Sequence, residues 1–285
     1  MSTQRVAVVA DSTLSIPGDL ADEAGIRVVP VHVVIDGSSL REGLDITPDQ
    51  VADELRNGAS VTTSRPSPQE FVSVYRAAAE AGATGVVSVH LSAELSGTAQ
   101  AAKIAARSAG IPVEVVDSRT ITMAGGFAAL DAAAAAADGA SVEEAAEVAR
   151  RTAAASSLFF YVHTLEYLQR GGRIGTAQRY LGTALRVRPL LGMEDGRVAA
   201  LEKVRTSNKA LLRLAELATE AAAGLDQPRL AVHHLQAEAS ANTVLEALLA
   251  AMPGAPHVES EVGAVIAAHT GPGVVAVAVV PGKPS

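Results

Sequence analysis

The chain has 285 residues, 48% hydrophobic and 19% charged, with a net charge of −8, no Cys, no Trp and 3% aromatic residues. That length suits one large or two medium domains, and the apolar fraction excludes a disordered chain. Absent cysteine excludes a disulfide framework, thiolate catalysis, iron–sulfur clusters and Cys-ligated zinc, while the acidic balance argues against non-specific nucleic-acid or anionic-membrane binding.

The N-terminus runs from Met1-Ser2-Thr3-Gln4-Arg5 directly into Val6–Ala10, an apolar run too short for a signal-peptide core. Candidate strands follow at Arg27–Ile35, Val86–His90 and Val113–Asp117. Candidate helices lie at Pro17–Ala24, Pro48–Arg56, Pro68–Ala81, Ser96–Ala109 and Ile121–Ala137. Pro48 and Pro68 occupy first-turn positions after the N-caps Thr47 and Ser67. Apolar strands separated by helices imply a largely parallel sheet covered on both faces. Ile121–Ala137 is the longest apolar stretch, yet it contains Gly125-Gly126 and Asp131 and falls short of a membrane span of about 20 residues. A soluble, cytoplasmic protein without stable membrane insertion is expected.

A helix around Ser141–Ala155 leads into Leu158–Val162, read as the first strand of a second domain. Arg188–Met193 and Arg197–Val204 flank the turn Glu194-Asp195-Gly196, the pattern of a β-hairpin. Helices near Asn208–Ala223 and Glu238–Met252 then alternate with strands at Arg229–His233, Val258–Val262 and Val274–Val280. The expected fold is α/β in two domains with a boundary near 155. Residues 1–155 form a mostly parallel sheet with helices on both faces, and residues 156–285 an α+β or mixed-sheet domain.

Three strands of the first half end in polar clusters: Asp11-Ser12-Thr13, His90-Leu91-Ser92 and Asp117-Ser118-Arg119. Ligands of parallel α/β sheets bind beyond the carboxyl ends of strands, although ordinary helix capping explains any single cluster. The segment Thr62–Pro68 adds hydroxyls held extended by two prolines, and Leu95-Ser96-Gly97-Thr98 opens the next helix. Hydroxyls at a helix N-terminus suit a small anion such as a carboxylate or phosphate. Leu165–Gly175 reads as a short helix closed by Gly171-Gly172, and His269 as a histidine at a strand end before the rigid turn Thr270–Gly273. Arg205 ends the second hairpin strand. His233-His234 is no metal pair by itself, because adjacent strand residues face opposite sides. No dinucleotide fingerprint, Walker A loop, zincin helix or nucleophile elbow is present.

Taken in order, these segments resemble the DegV family of bacterial fatty-acid-binding proteins. The resemblance spans Val8 to Val280. It rests on Asp11-Ser12-Thr13, Arg41–Thr47, Thr63-Ser64-Arg65-Pro66-Ser67, Leu95–Thr98, Leu165–Ile174, Glu194-Asp195-Gly196, Lys203–Thr206 and His269–Gly273. It implies a two-domain protein holding one long-chain fatty acid, such as palmitate or oleate, in a tunnel between the domains. A separate ATP-dependent kinase subunit would phosphorylate the carboxyl group, so no catalysis, cofactor or metal is expected in this chain. On this resemblance Thr63, Ser96 and His269 hold the carboxylate, while Ser64, Arg65, Ser92, Arg173 and Arg205 make head-group or partner contacts. Two positions depart from the family pattern: Arg65 stands where Gln is expected, and Ala276 where glycine is common.

Each buried methylene contributes roughly 0.8 kcal/mol, so about 15 of them outweigh hydrogen bonds of about 1.5–3 kcal/mol each to the charged head group. The tail would drive affinity, and the polar residues would choose and orient the head. Alanine, about a fifth of the chain, would suit a tunnel lining because small side chains leave room that rings would fill. Two other readings stay open. One is a serine hydrolase in which Ser96 attacks and His269 acts as base, oriented by Asp11 or Asp117. The other is a module binding a small anion such as a sugar phosphate.

Overall fold

The structure, a computed structural model, describes residues 5–180 and 188–283; Met1–Gln4, ahead of the first predicted strand, lie outside them. The chain starts with β1 (Val6–Asp11), α1 (Gly18–Glu23), β2 (Arg27–Val29), β3 (His32–Ile35) and β4 (Ser38–Arg41). It continues through α2 (Pro48–Arg56), β5 (Val61–Ser64), α3 (Pro68–Glu80), β6 (Gly85–His90), α4 (Thr98–Ala106) and β7 (Val113–Asp117). Helices α5 (Thr122–Ala137) and α6 (Val142–Ala154) precede β8 (Ser157–Tyr161), α7 (Glu166–Arg170), β9 (Arg188–Glu194) and β10 (Arg197–Val204). The last elements are α8 (Ser207–Ala222), β11 (Arg229–His234), α9 (Glu238–Ala251), β12 (His257–Glu261), α10 (Ala264–Thr270) and β13 (Val275–Val280).

Internal contacts divide the chain into two units. The first holds the described residues of Met1–His32, Ser64–Ala155 and Lys283–Ser285, and the second Val33–Thr63 and Ser156–Gly282. The breaks between them fall at 32/33, 63/64, 155/156 and 282/283.

The first unit is built on a parallel sheet of order β2-β1-β6-β7. Every residue of β6 is buried, as a strand covered on both faces must be. Helices α3 and α4 pack over Val9, Val29 and Val86, while α5 and α6 pack on each other and on the same sheet. Ala128, Ala129 and Ala132 of α5 and Ala145, Ala146 and Ala149 of α6 are fully buried, so part of the alanine content serves close helix packing. Gly125 lets α5 approach the turn after β1: a Cβ there would stand 2.7 Å from Leu14 Cδ2. Thr47, Ser67 and Ser141 form capping boxes with Gln50, Glu70 and Glu144, fixing the starts of α2, α3 and α6.

The second unit holds a mixed six-stranded sheet of order β10-β9-β8-β13-β11-β12 and a three-stranded sheet of order β4-β3-β5. Neighbours in the six-stranded sheet are antiparallel except at the β11–β12 pair. Helices α8 and α9 close a core over Tyr161, Leu190, Leu230, Val232 and Val277. Asp195 and Gly196 both take positive φ, +50° and +80°, the conformation of a two-residue hairpin turn joining β9 to β10.

Two expectations change. Arg27–Ile35 is two strands in different sheets, because Pro30 interrupts the run and the Val31 N–H turns to the Ser12 hydroxyl at 2.9 Å. His269 lies in the last turn of helix α10 and not at a strand end. Val265–Ala268 is buried throughout, and a short apolar run without a period does not separate helix from strand. Gly271, with φ +69°, ends the helix.

Candidate functional site

The three predicted polar clusters meet at the carboxyl ends of β1, β6 and β7, where they bond mainly to one another. The buried carboxylate of Asp11 accepts the His90 imidazole at 3.0 Å, the Leu91 N–H at 2.9 Å and the Thr13 N–H at 3.1 Å. His90 Nε2 lies 2.7 Å from the Ser88 hydroxyl, which accepts the Tyr75 O–H at 2.8 Å. Burial pushes the Tyr75 phenol up to about 12, so it stays a donor. The Ser118 N–H donates to the His90 carbonyl and the Ser92 N–H to the Thr120 carbonyl, each at 2.9 Å. Asp117 Oδ1 accepts the Ala93 and Arg119 N–H groups. Ser92 is fully buried in this web. Beyond it, Ser96 shares a 2.9 Å hydrogen bond with the Thr98 hydroxyl at the start of α4. The exposed Arg65 lies over Gly97, where a Cβ would stand 2.5 Å from the guanidinium.

In the second unit the structure brings together Thr63, from β5, and His269, from α10. Thr63 Oγ1 and His269 Nε2 are 2.9 Å apart, across 206 residues of sequence. The other ring nitrogen, Nδ1, is buried without a hydrogen-bond partner and rests against Gly171, where a Cβ would stand 2.1 Å away. Burial pushes the imidazole down to about 4, and the positive charge of Arg173 adds to the shift, so the ring is neutral at pH 7. A neutral ring has one N–H to place, and a buried N–H without an acceptor is the rarer defect. The network therefore assigns the proton to Nε2, which donates to Thr63 Oγ1 and leaves the threonine O–H free to donate onward. Arg173 anchors to the Gly171 carbonyl at 2.6 Å and supplies positive potential beside the pair.

The glycines of this region make room for rings. A Cβ at Gly271 would stand 2.2 Å from the Tyr167 ring, and one at Gly273 would stand 2.1 Å from His163 Nδ1. Both glycines have positive φ, so the turn after α10 needs them for conformation as well as for space. Gly171 accommodates His269 in return, so the 163–173 segment and the 269–273 turn interlock. The roles of His163, Tyr167 and Gly171 were not read from the sequence. The signal available was a glycine-spaced aromatic pattern in both segments, which has no meaning until the two are known to touch. Ser64 ends β5 and is exposed, and Arg205 is exposed just after β10.

These bonds bear on the hydrolase reading. Ser96 pairs with Thr98, Asp11 with His90, and no partner orients His269 Nδ1. Among the described residues no group of three or more His, Asp or Glu is placed to hold a metal ion, and no helix is long and apolar enough to cross a membrane.

Fold and site together define an α/β protein of two units, one on a parallel sheet and one on a mixed sheet, the second carrying a half-buried threonine–histidine pair. A family model described as uncharacterised proteins of the DegV family matches residues 5–282, and the chain belongs to that family. It is 50% identical over 278 residues to a DegV domain-containing protein of Streptomyces coelicolor, covering 97% of this chain and 99% of that one. A solved DegV family protein from Thermus thermophilus, described as fatty-acid binding, is similar with TM-score 0.90 and 38% identity, over 98% of this chain and 100% of that chain. DegV from Bacillus subtilis, described as a fatty acid binding protein, is similar with TM-score 0.89 and 33% identity, over the same shares.

Proposed function

We propose that the protein binds one long-chain fatty acid, its acyl chain in an apolar tunnel and its carboxylate at the Thr63–His269 pair. The observation that carries this reading is the 2.9 Å hydrogen bond between those two side chains, with the imidazole neutral and Nδ1 closed off by Gly171. A neutral imidazole that donates to Thr63 turns the hydroxyl into a directed donor, and a carboxylate oxygen is its natural acceptor. A carboxylate taken out of water needs such donors, since an unpartnered one is heavily penalised. Arg173 offsets the repulsion that a chain of net charge −8 exerts on an anion.

The family resemblance supports the remaining assignments: Ser96 as a further carboxylate contact, and Ser64, Arg65, Ser92 and Arg205 as head-group or partner contacts. On the same support the protein is a carrier in the cytoplasm rather than an enzyme. An ATP-dependent kinase subunit then transfers the γ-phosphoryl group of ATP to the bound carboxylate, giving acyl phosphate and ADP.

Native mass spectrometry of gently purified protein tests the binding, with an added mass of fatty-acid size as the expected result. Protein that is always empty, with no fatty acid in its lipid extract, overturns the reading. For the kinase step, hydroxylamine should trap acyl hydroxamate only when carrier, fatty acid, kinase subunit and ATP are all present.

A further inference from the structure

The Arg41–Thr47 motif has no part in the carboxylate site, yet its geometry leads to it. Asp45 accepts the Arg41 N–H at 2.9 Å and its guanidinium at 2.8 and 3.0 Å, closing a ring at the turn. Glu42 and Ile46 bridge across the same turn, and Gly43 takes φ +76°. Held this way, Glu42 is turned inward and is only 6% exposed. Its Oε1 accepts the Val265 N–H at 2.7 Å, in the first turn of α10. The N-cap of α10 is Gly263, which has no side chain to cap the helix, and the Glu42 carboxylate takes over that task from a distant segment. A Cβ at Gly263 would stand 2.3 Å from Glu42 Oε1, so the position is kept bare for the carboxylate. At the opposite end of this seven-residue helix, His269 meets Thr63.

We propose that Glu42 is a positioning residue for the Thr63–His269 pair. By capping α10 it sets where the short helix stands, and so where the imidazole meets the threonine hydroxyl. The inference rests on the reading of that pair as the carboxylate-binding element.

The test compares wild type with Glu42→Ala, Glu42→Gln and Gly263→Ala, titrating each with oleate and with oleyl alcohol. Wild type should prefer the acid. Glu42→Ala and Gly263→Ala should lose about tenfold of the acid-over-alcohol preference, the scale of one hydrogen bond to a charged group. Glu42→Gln, which keeps an acceptor oxygen, should stay within about threefold of wild type. Ring nitrogen shifts of labelled His269 should move in the first two variants and return in the third. A role confined to stability would weaken both ligands alike and leave the ratio and the shifts unchanged, and that result overturns the proposal. Loss in Glu42→Gln equal to that in Glu42→Ala also overturns it. If Glu42→Ala fails to fold, Gly263→Ala decides, because its φ of −66° accepts alanine and its carboxylate is still present. A wild-type protein that binds neither ligand would instead overturn the fatty-acid reading.

Discussion

A Cβ atom on residue 171 would stand 2.1 Å from Nδ1 of His269, so the bare backbone of Gly171 is what admits the imidazole to the place where it meets Thr63. Gly171 has φ −75°, which alanine adopts freely, so Gly171→Ala tests occlusion and not backbone strain. The variant should displace the ring, break its bond to Thr63 and weaken oleate binding about tenfold in a fluorescence titration. Unchanged affinity would show that the placement of His269 is irrelevant to the ligand.

Thr63 separates shape from chemistry. Thr63→Val keeps the branched β-strand side chain but removes the hydroxyl, leaving the His269 N–H without an acceptor and the carboxylate without a donor. Losing a hydrogen bond to a charged group costs about 1.5–3 kcal/mol, or about 10–100-fold in affinity. Thr63→Ser should recover most of it. Calorimetry that finds Thr63→Val and wild type equal would remove this residue from the site.

Two histidines make the fold acid-sensitive. Burial pushes both His233 and His269 from 6.5 down to about 4. Above 6.5 both are neutral whether folded or unfolded; below it the unfolded chain takes up protons that the folded chain refuses, so stability falls as pH drops from 6.5 towards 4. Each contributes roughly 3 kcal/mol across that window. Urea unfolding followed from about pH 7 to about pH 4 should show the decline. His233→Asn, which removes the titrating ring, should flatten the curve; an equally steep one would assign the loss to other groups.

Asp11 reads as part of the sheet and not of a catalytic triad. Its oxygens are occupied by His90, Leu91 and Thr13, and both it and His90 are fully buried. Asp11→Ala should cost about 3–5 kcal/mol in chemical denaturation, the usual consequence of breaking a buried pair. A fluorophosphonate should leave Ser96 unlabelled in the wild-type protein. Labelling that disappears in Ser96→Ala would restore the hydrolase reading.

Thr63 and His269 are legible as candidates in their motifs, but their contact is not, and nothing local to His269 announces a helix. The partners that hold it, Gly171 and, through α10, Glu42, lie 98 and 227 residues away in sequence by their numbering. The polar clusters Asp11–Thr13, His90–Ser92 and Asp117–Arg119 each read, by sequence alone, as a strand end where a ligand could bind or a helix be capped. Only their convergence in space showed how far they satisfy one another.

What the amino-acid sequence determined by itself is what depends on residues a few positions apart. The capping boxes at Thr47, Ser67 and Ser141 start helices, Asp195-Gly196 closes a hairpin, and the β-branched run of Val86, Val87 and Val89 in β6 declares a strand. Each follows from local backbone sterics, hydrogen bonding and hydrophobic period. Tertiary structure decided the rest. It grouped residues 33–63 with the second unit, and it seated β13, the last strand, between β8 and β11. It also set Gly171 against His269 and Glu42 at the head of α10. Those outcomes arise from burying surfaces contributed by distant segments, and no short window of sequence contains both sides of such a contact.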